Sequence, residues 1–198
     1  MNRTLQLLGL GLAATLLISA TGGGNLPTFS AKKLQQDPAA MTESLASETS
    51  FTFTDRTFVS RMTQGHNYEI AAAELALTLA KATEVKTFAQ LMLSDHKNLR
   101  GQLAAAVGKV NPAYELPADI DVSARQQVML ERLENAGDGF DAEYKAQMMQ
   151  SHEEALNLLE SYLGSKYANP IIRTEAQKAW PVVEAHHQAV DAIPAATP

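Results

Sequence analysis

The chain of 198 residues contains no cysteine. It therefore has no disulfide bonds, no thiolate metal ligands, no thiol nucleophile and no cysteine that could carry a lipid. Aromatic residues make up only 6% of the chain, and no alternating polar and apolar run predicts a β-strand of any length. There is no glycine-rich phosphate loop either, because residues 22–24 (Gly-Gly-Gly) precede no strand–helix unit. The long periodic segments of the chain are rich in helix-forming residues such as alanine, leucine, glutamate, glutamine and methionine.

Basic residues are also scarce, and the formal net charge is −6. No basic patch larger than a pair such as Lys32 and Lys33 is present, so we expect no nucleic-acid partner. Nothing supports hydrolysis by a Ser/His/Asp arrangement, because Ser151 and His152 are neighbours and adjacent residues on a helix point apart. Catalysis of this kind is not expected.

The first twenty residues have the features of a secretory signal peptide. Arg3 supplies the positive start, residues 5–18 form an apolar core, and the small residues Ser19 and Ala20 follow at a cleavage site. The apolar run is shorter than the ~20 residues that a spanning helix needs, which favours cleavage over an uncleaved membrane anchor. We expect a mature protein without a transmembrane span, exported to a bacterial periplasm.

Residues 21–53 are predicted to be a flexible linker, because glycine, proline, serine and threonine interrupt them without a sustained period. Residues 54–193 form one predicted domain, and residues 194–198 a disordered tail. Apolar residues in this domain recur at three-and-four spacing in four long segments, which predicts an all-α fold. The predicted N-caps of the four helices are Asp55, Thr83, Asp141 and Asn169, and Gly108 is predicted to end the second helix.

A long connection separates the second predicted helix from the third. It spans residues 109–139, and Ser123 with Gln126 forms a capping box for a short helix over residues 124–135. A partly helical connection of this length could cross the whole length of a bundle. The pattern therefore favours a ferritin-like four-helix bundle over an ordinary up-down bundle.

Each long helix carries at least one polar residue on the stripe that should face the core. These residues are His66 and Glu69, His96 with Asp95 beside it, His152, and His186. Counted from the first turn, Glu69 and His96 face each other in an antiparallel pair. Counted from the second turn, His152 and His186 differ by about five residues, or ~7 Å along the axis, which argues against one common layer unless the third helix runs past Gly164 or Pro181 shifts the register.

Imidazole and carboxylate groups on facing helices suit Zn²⁺, Fe²⁺, Mn²⁺ or Cu²⁺. We therefore predict a metal site formed by Glu69, His96, His152 and His186. Asp95 would orient an imidazole or replace a ligand, and His66 is a reserve ligand. The alternative is a buried hydrogen-bond network in which Glu69 accepts from two imidazoles and fixes the helix register.

The histidine environments limit which metal chemistry is expected. A bridged pair of irons needs Glu-x-x-His on two helices. The residues three positions before His96, His152 and His186 are leucine, methionine and valine, so we do not expect a bridged iron pair. A methionine precedes each of His66, His96 and His152 by four residues. Thioether and imidazole together would suit Cu(I), although methionine at this spacing is more often core filler.

Four segments in this order resemble a known bacterial family. They are FVxxMxxGxxxE from Phe58, VKxFAQxMxxDH from Val85, GFDxxYxxQMxxSH from Gly139 and PxxxxH from Pro181. Over residues 58–193 the sequence resembles the exported helical family named domain of unknown function four-one-four-two, whose members are often labelled predicted outer-membrane proteins. The resemblance implies a ferritin-like bundle in the periplasm or at the envelope, with no established activity. By position, its recurring polar residues are Glu69, Asp95, His96, His152 and His186.

The expected function is metal handling or envelope stress protection by a periplasmic bundle protein. The alternative is a non-catalytic structural or interaction module of the cell envelope, which would have an envelope protein as its partner. Replacing His96 or His152 by alanine separates the two: it abolishes metal uptake in the first and destabilises the apo protein in the second.

Overall fold

The computed structural model describes residues 50–194. The predicted signal peptide, residues 21–49 of the predicted linker and residues 195–198 of the tail lie outside the described residues. Within the described part the fold is all-helical, as the apolar periodicity predicts. The helices are α1 (Phe53–Leu79), α2 (Thr83–Val110), α3 (Ala124–Glu134), α4 (Phe140–Gly164) and α5 (Pro170–Asp191), and a 3₁₀ turn (Gly137–Gly139) precedes α4.

The two aspartates that were predicted as N-caps, Asp55 and Asp141, do not occupy the cap position. Thr52 caps α1, and Asp55 is the third helical residue of a capping box, where its carboxylate accepts the Thr52 amide hydrogen at 2.7 Å. Asp141 lies inside the first turn of α4, and its carboxylate accepts hydrogen bonds from the amides of Lys81 and Ala82 in the α1–α2 turn. The predicted caps at Asp55 and Asp141 are therefore wrong, because Asp55 is the third residue of α1 and the Asp141 carboxylate holds the α1–α2 turn.

The ends of α2 also differ from the prediction. Thr83 is the first helical residue rather than the cap, and Ala82 occupies the cap position without a side-chain hydrogen bond. Gly108 does not end the helix, which continues to the buried Val110 and has Asn111 as its C-cap. Pro112 then prevents a further turn. The caps predicted for α3 and α5 are confirmed, and they are Ser123 and Asn169.

The four long helices pack in a ring in which each contacts two others, in the order α1, α2, α5, α4. Side-chain hydrogen bonds between α1 and α4 join Asp55 to Tyr162 and, further along α1, Tyr68 to Gln147. The residue numbers rise on α1 as they fall on α4, so these helices are antiparallel. Since α1 and α2 form a hairpin, α2 and α4 run in the same direction. The connection between them must therefore return along the length of the helices.

Side chains on α1 and α2 hold this returning connection in place. The Asn67 amide donates to the carbonyl oxygens of Ala118 at 2.7 Å and Asp121 at 2.8 Å. The Arg100 guanidinium contacts the Pro117 carbonyl and the Asp119 carboxylate. The backbone groups of an irregular segment thus find partners on the helices. No helix of the described part is long and apolar enough to cross a membrane.

Two apolar cores lie on either side of a polar layer. Core A contains large buried residues from the end nearest the α1–α2 turn, including Phe88, Met92, Phe140, Tyr144 and Val190. Core B contains those nearest the α4–α5 turn, including Phe58, Leu103, Leu159, Ile172 and Val183. Along α2, for example, His96 separates Met92 of core A from Leu99 of core B. We define the polar layer as the five buried residues His66, Glu69, His96, His152 and His186.

Candidate metal centre

The polar layer draws one or two side chains from each long helix, and all five are at most 2% exposed. Glu69 and His96 face each other as the count from the first turn predicts, with 2.9 Å between Glu69 Oε2 and His96 Nδ1. Both helices keep apolar residues on either side of these positions, so the packing of α1 against α2 sets the contact. The structure therefore places a carboxylate and an imidazole together in the core.

His152 and His186 lie at the same level, and the predicted axial offset of ~7 Å is wrong. The ring centroids of His96, His152 and His186 form a nearly equilateral triangle with sides of 5.3 to 5.7 Å. Counting residues from the turn assumes that α4 ends and α5 begins at the same level along the bundle. In the structure, α5 begins beyond the level where α4 ends. The Arg173 guanidinium, one turn into α5, contacts the carbonyl oxygens of Leu163 and Ser165 at the end of α4.

Each ring of this triangle has one nitrogen held by an acceptor. His152 Nδ1 donates to the Met148 carbonyl oxygen at 2.7 Å, and His186 Nε2 donates to Asp95 Oδ2 at 2.9 Å. Glu69 Oε2 is the acceptor for His96 Nδ1. Because a carbonyl or carboxylate oxygen can only accept, these contacts set the hydrogen on that nitrogen and leave the other one bare. Asp95 thus orients an imidazole, one of its two predicted roles.

The three remaining ring nitrogens are buried and have no partner in the described part of the chain. They are His96 Nε2, His152 Nε2 and His186 Nδ1. One ring nitrogen from each histidine lies within 4.8 Å of one from each of the others. In a neutral ring, the nitrogen that carries no hydrogen has a lone pair. The site therefore offers three nitrogen acceptors, each fixed by a hydrogen bond on the far side of its ring.

Glu69 lies between this triangle and a second group. Its Oε1 accepts a hydrogen bond from Ser151 Oγ at 2.8 Å and lies 3.7 Å from His152 Nε2. Its Oε2 faces His96 Nδ1, which also lies 3.0 Å from His66 Nδ1. His66, Glu69 and His96 form a second set of ligand atoms within 4.8 Å of one another. All six predicted site residues therefore belong to one connected cluster.

Sequence reasoning missed the role of Ser151. Its position beside His152 argued against joint action, yet both side chains lie near Glu69 Oε1, Ser151 Oγ at 2.8 Å and His152 Nε2 at 3.7 Å. Ser151 lies four residues, one helical turn, after Gln147, whose side chain accepts a hydrogen bond from Tyr68 Oη on α1, so both residues share the face of α4 that packs against α1. That spacing is the signal that could have placed Ser151 next to Glu69.

Burial disfavours the charged form of three histidines of the layer. It lowers the pKa of His66 to about 3 and that of His152 to about 4, and it also lowers the pKa of His186. Burial alone would raise the pKa of Glu69, but the interactions of its carboxylate with His96 and His152, which include a hydrogen bond from His96, outweigh burial and hold the pKa well below its usual range. Unprotonated imidazole nitrogens beside an ionised carboxylate are the forms that bind a metal cation.

An open cleft of about 580 Å³ leads from the surface to one side of the polar layer. His66, Glu69 and His96 contribute to its lining, together with Ser151. The side wall includes Arg125, whose guanidinium pairs in a bidentate manner with Glu154 at 2.7 and 2.8 Å. The cleft thus brings solvent close to Glu69, which is itself 2% exposed.

Comparison with known proteins gives a family and no function. The family model described as domain of unknown function (DUF4142) matches residues 40–193. This is the family that the four sequence segments resemble. No curated protein and no solved structure matches the chain significantly. The activity must therefore be inferred from the polar layer itself.

Proposed function

The chain belongs to the DUF4142 family, and we propose that this member is an exported helical-bundle protein that binds a transition-metal ion through His96, His152 and His186. Glu69 and Asp95 orient two of the imidazoles, and the Met148 carbonyl orients the third. Orientation of ligating histidines by carboxylates and backbone carbonyls is the usual second layer of a metal site. The role is metal handling or envelope stress protection rather than turnover.

The observation that carries this proposal is the set of three buried ring nitrogens without a partner. A buried polar atom left unsatisfied costs about 1–3 kcal/mol, and native proteins leave few such atoms. Three buried acceptors on rings whose centroids lie 5.3 to 5.7 Å apart need donors or a cation. A single water molecule has two hydrogens and cannot satisfy all three, whereas one metal ion can bind all three nitrogens.

The donor set narrows the choice of ion. Three imidazoles without thiolates suit Zn²⁺ or Cu²⁺, and Fe²⁺ or Mn²⁺ become suitable when a carboxylate joins. Glu69 Oε1, 3.7 Å from His152 Nε2, is close enough to become the fourth ligand. Tetrahedral Zn²⁺ with bonds of about 2.0–2.1 Å separates its ligand atoms by roughly 3.4 Å. One ring nitrogen of each histidine lies within 4.8 Å of one from each of the others. A small inward movement of the rings would therefore bring three such nitrogens to the spacing of zinc ligands.

The helix directions support a ferritin-like connectivity. In such bundles a long crossover joins the second helix to the third, and metal ligands project inward from all four helices. Here α2 and α4 run in the same direction and the connection of residues 111–139 returns between them. The signal-like residues 1–20 support export to the periplasm, where a metal-handling protein meets ions from outside the cell.

The alternative function is a structural or interaction module of the envelope in which the polar layer fixes helix register. The hydrogen bonds of Glu69 with Ser151 and His96 favour this second candidate. Such a network explains Glu69 well, but it gives no partner to the three ring nitrogens. The two functions therefore differ in what the histidines do for the apo protein.

The deciding experiment is elemental analysis of the protein isolated from the cell envelope, with melting curves before and after a chelator. A bound ion at a hundred times its Kd adds about 2.7 kcal/mol, so its removal should lower Tm by roughly 5–10 °C. His152→Ala and His186→Ala should abolish this shift. His187→Ala is the matched control, because His187 neighbours the site on α5 without belonging to either ligand set. No bound ion, and no shift with Zn²⁺, Cu²⁺, Fe²⁺ or Mn²⁺, would refute the proposal.

A further inference from the structure

We propose that His66, Glu69 and His96 form a second site for a divalent transition-metal cation, opening to the cleft and sharing His96 with the three-histidine site. The inference rests on the proposed function, because the shared imidazole is a ligand in both sites. We call the three-histidine set the inner site and the His66–Glu69–His96 set the outer site.

The first observation is a set of contacts that hydrogen bonds alone do not satisfy. His96 Nδ1 lies 3.0 Å from His66 Nδ1 and 2.9 Å from Glu69 Oε2. A ring nitrogen has either one hydrogen or one lone pair in the ring plane, so it forms one linear hydrogen bond and not two. A cation bound to all three atoms removes this conflict. Separations near 3 Å are also those of ligand atoms around an ion with bonds of about 2.0–2.2 Å.

The second observation is that His96 and Glu69 each have two ligand atoms, so each can serve both sites through different atoms. His96 Nδ1 faces Glu69 Oε2 and His66 Nδ1, whereas His96 Nε2 is buried without a hydrogen-bond partner and remains for the inner site. Glu69 presents Oε2 to His96 Nδ1 and Oε1 to His152 Nε2. One ring and one carboxylate therefore lie between two positions for ions, which is how a protein holds two cations close together.

Occupation of both sites changes the protonation of His96. When only the inner ion is bound, His96 Nδ1 keeps its hydrogen and donates it to Glu69. Binding of the outer cation breaks the Nδ1–H bond and forms a metal–Nδ1 bond, and the proton leaves to solvent. The ring then carries one negative charge, which with the carboxylates of Glu69 and Asp95 offsets most of the charge of two divalent ions.

Access distinguishes the two sites. The lining of the cleft includes all three outer ligands, whereas His152 and His186 are not among its described lining residues. An ion arriving from solvent therefore meets the outer site first. We expect the outer ion to bind and leave faster than the inner one, which suits a protein that takes up and passes on metal.

Native mass spectrometry of the purified protein titrated with Zn²⁺ tests the stoichiometry. The wild type should bind two ions, whereas His66→Ala and His186→Ala should each bind one and His187→Ala should still bind two. His66→Gln repeats the outer-site test with a side chain closer in size, and circular dichroism checks that each variant is folded. A pH indicator should record one more proton released per wild-type molecule than per His66→Ala molecule.

Results that contradict the outer site differ from results that contradict the proposed function. One ion in the wild type that persists in His66→Ala and is lost in His186→Ala overturns the outer site and leaves the proposed function standing. No ion in any form overturns both proposals. One ion that is lost in His66→Ala and kept in His186→Ala overturns the inner site and hence the sharing of His96.

Loading with Cu²⁺ tests whether His96 is shared. Two Cu²⁺ ions joined by one imidazole ring should couple magnetically, so the paramagnetic resonance signal per copper should be much weaker in wild type than in His66→Ala. Equal signal per copper in the two forms would overturn the shared ligand.

Discussion

Replacing His152 by leucine should leave the metal-free protein as stable as the wild type or more stable. The His152 ring makes one hydrogen bond, from Nδ1 to the Met148 carbonyl, and such a bond contributes about 1 kcal/mol net. Its Nε2 is buried without a partner, which costs about 1–3 kcal/mol. Leucine has a similar volume and no polar atom. The expected change in the free energy of unfolding is therefore about 0 to +2 kcal/mol.

Urea denaturation in the presence of a chelator at pH 7.5 measures this change. The same variant should lose metal binding at the inner site, so stability and binding should move in opposite directions. His187→Leu is the control, and it should change neither quantity by much, since surface substitutions usually stay within about 0.5 kcal/mol. A loss of more than about 2 kcal/mol in His152→Leu without metal would show that the ring is a structural element and would refute the reasoning.

Four further predictions follow from particular contacts. Because the folded-state pKa values of His66 and His152 are lowered to about 3 and about 4, the unfolded chain binds more protons below pH 6.5. The free energy of unfolding of the metal-free protein, measured by urea denaturation, should therefore fall between pH 7.5 and 5.5, by about 1.4 kcal/mol for each of these two rings per pH unit below 6.5; a flat profile would contradict the lowered pKa values of His66 and His152. Asp95→Asn should weaken Zn²⁺ binding about 10–100-fold in a competition assay with a chromophoric chelator, because the His186 ring loses its carboxylate acceptor; unchanged affinity would mean that Asp95 does not orient the ring. Asp55→Ala should cost about 2–4 kcal/mol, because it removes the acceptor of Tyr162 Oη and the carboxylate of the α1 capping box, whereas Asp138→Ala at an exposed ion pair should leave the urea midpoint unchanged; similar midpoints for the two variants would refute this. Asn67→Ala should speed hydrogen exchange over residues 117–122, because the two amide bonds to Ala118 and Asp121 are lost; unchanged exchange there would show that other contacts hold the connection.

The apolar period was sufficient to predict the helices, since each long helix has a clear inner stripe. The helix ends were predicted less well, because Asp141 accepts from the α1–α2 turn instead of capping its own helix, and Asp55 divides its carboxylate between the capping box of α1 and the Asn169 amide. A cap rule considers only neighbours in sequence, and it cannot anticipate that a carboxylate is needed by another segment.

The candidate site was also predicted only in part from the sequence. Membership of the polar layer follows from the helical period, because a polar residue on a core stripe is visible in the sequence. The level of His186 could not be counted from the turn, because the start of α5 depends on how residues 165–169 pass the end of α4. The bare nitrogens were not predictable at all, since they follow from which acceptor lies beside each ring.

The two apolar cores bear on the kind of metal site that we propose. Each core draws buried residues from all four long helices, so the helices are packed together on both sides of the polar layer without help from it. In a small zinc domain the ion supplies the folding free energy, and the apo form is unfolded. Here hydrophobic packing fixes the positions of the proposed ligands in the absence of an ion. The metal-free protein should therefore remain folded. That property suits the proposed metal handling, because uptake and release of an ion would not require the chain to unfold.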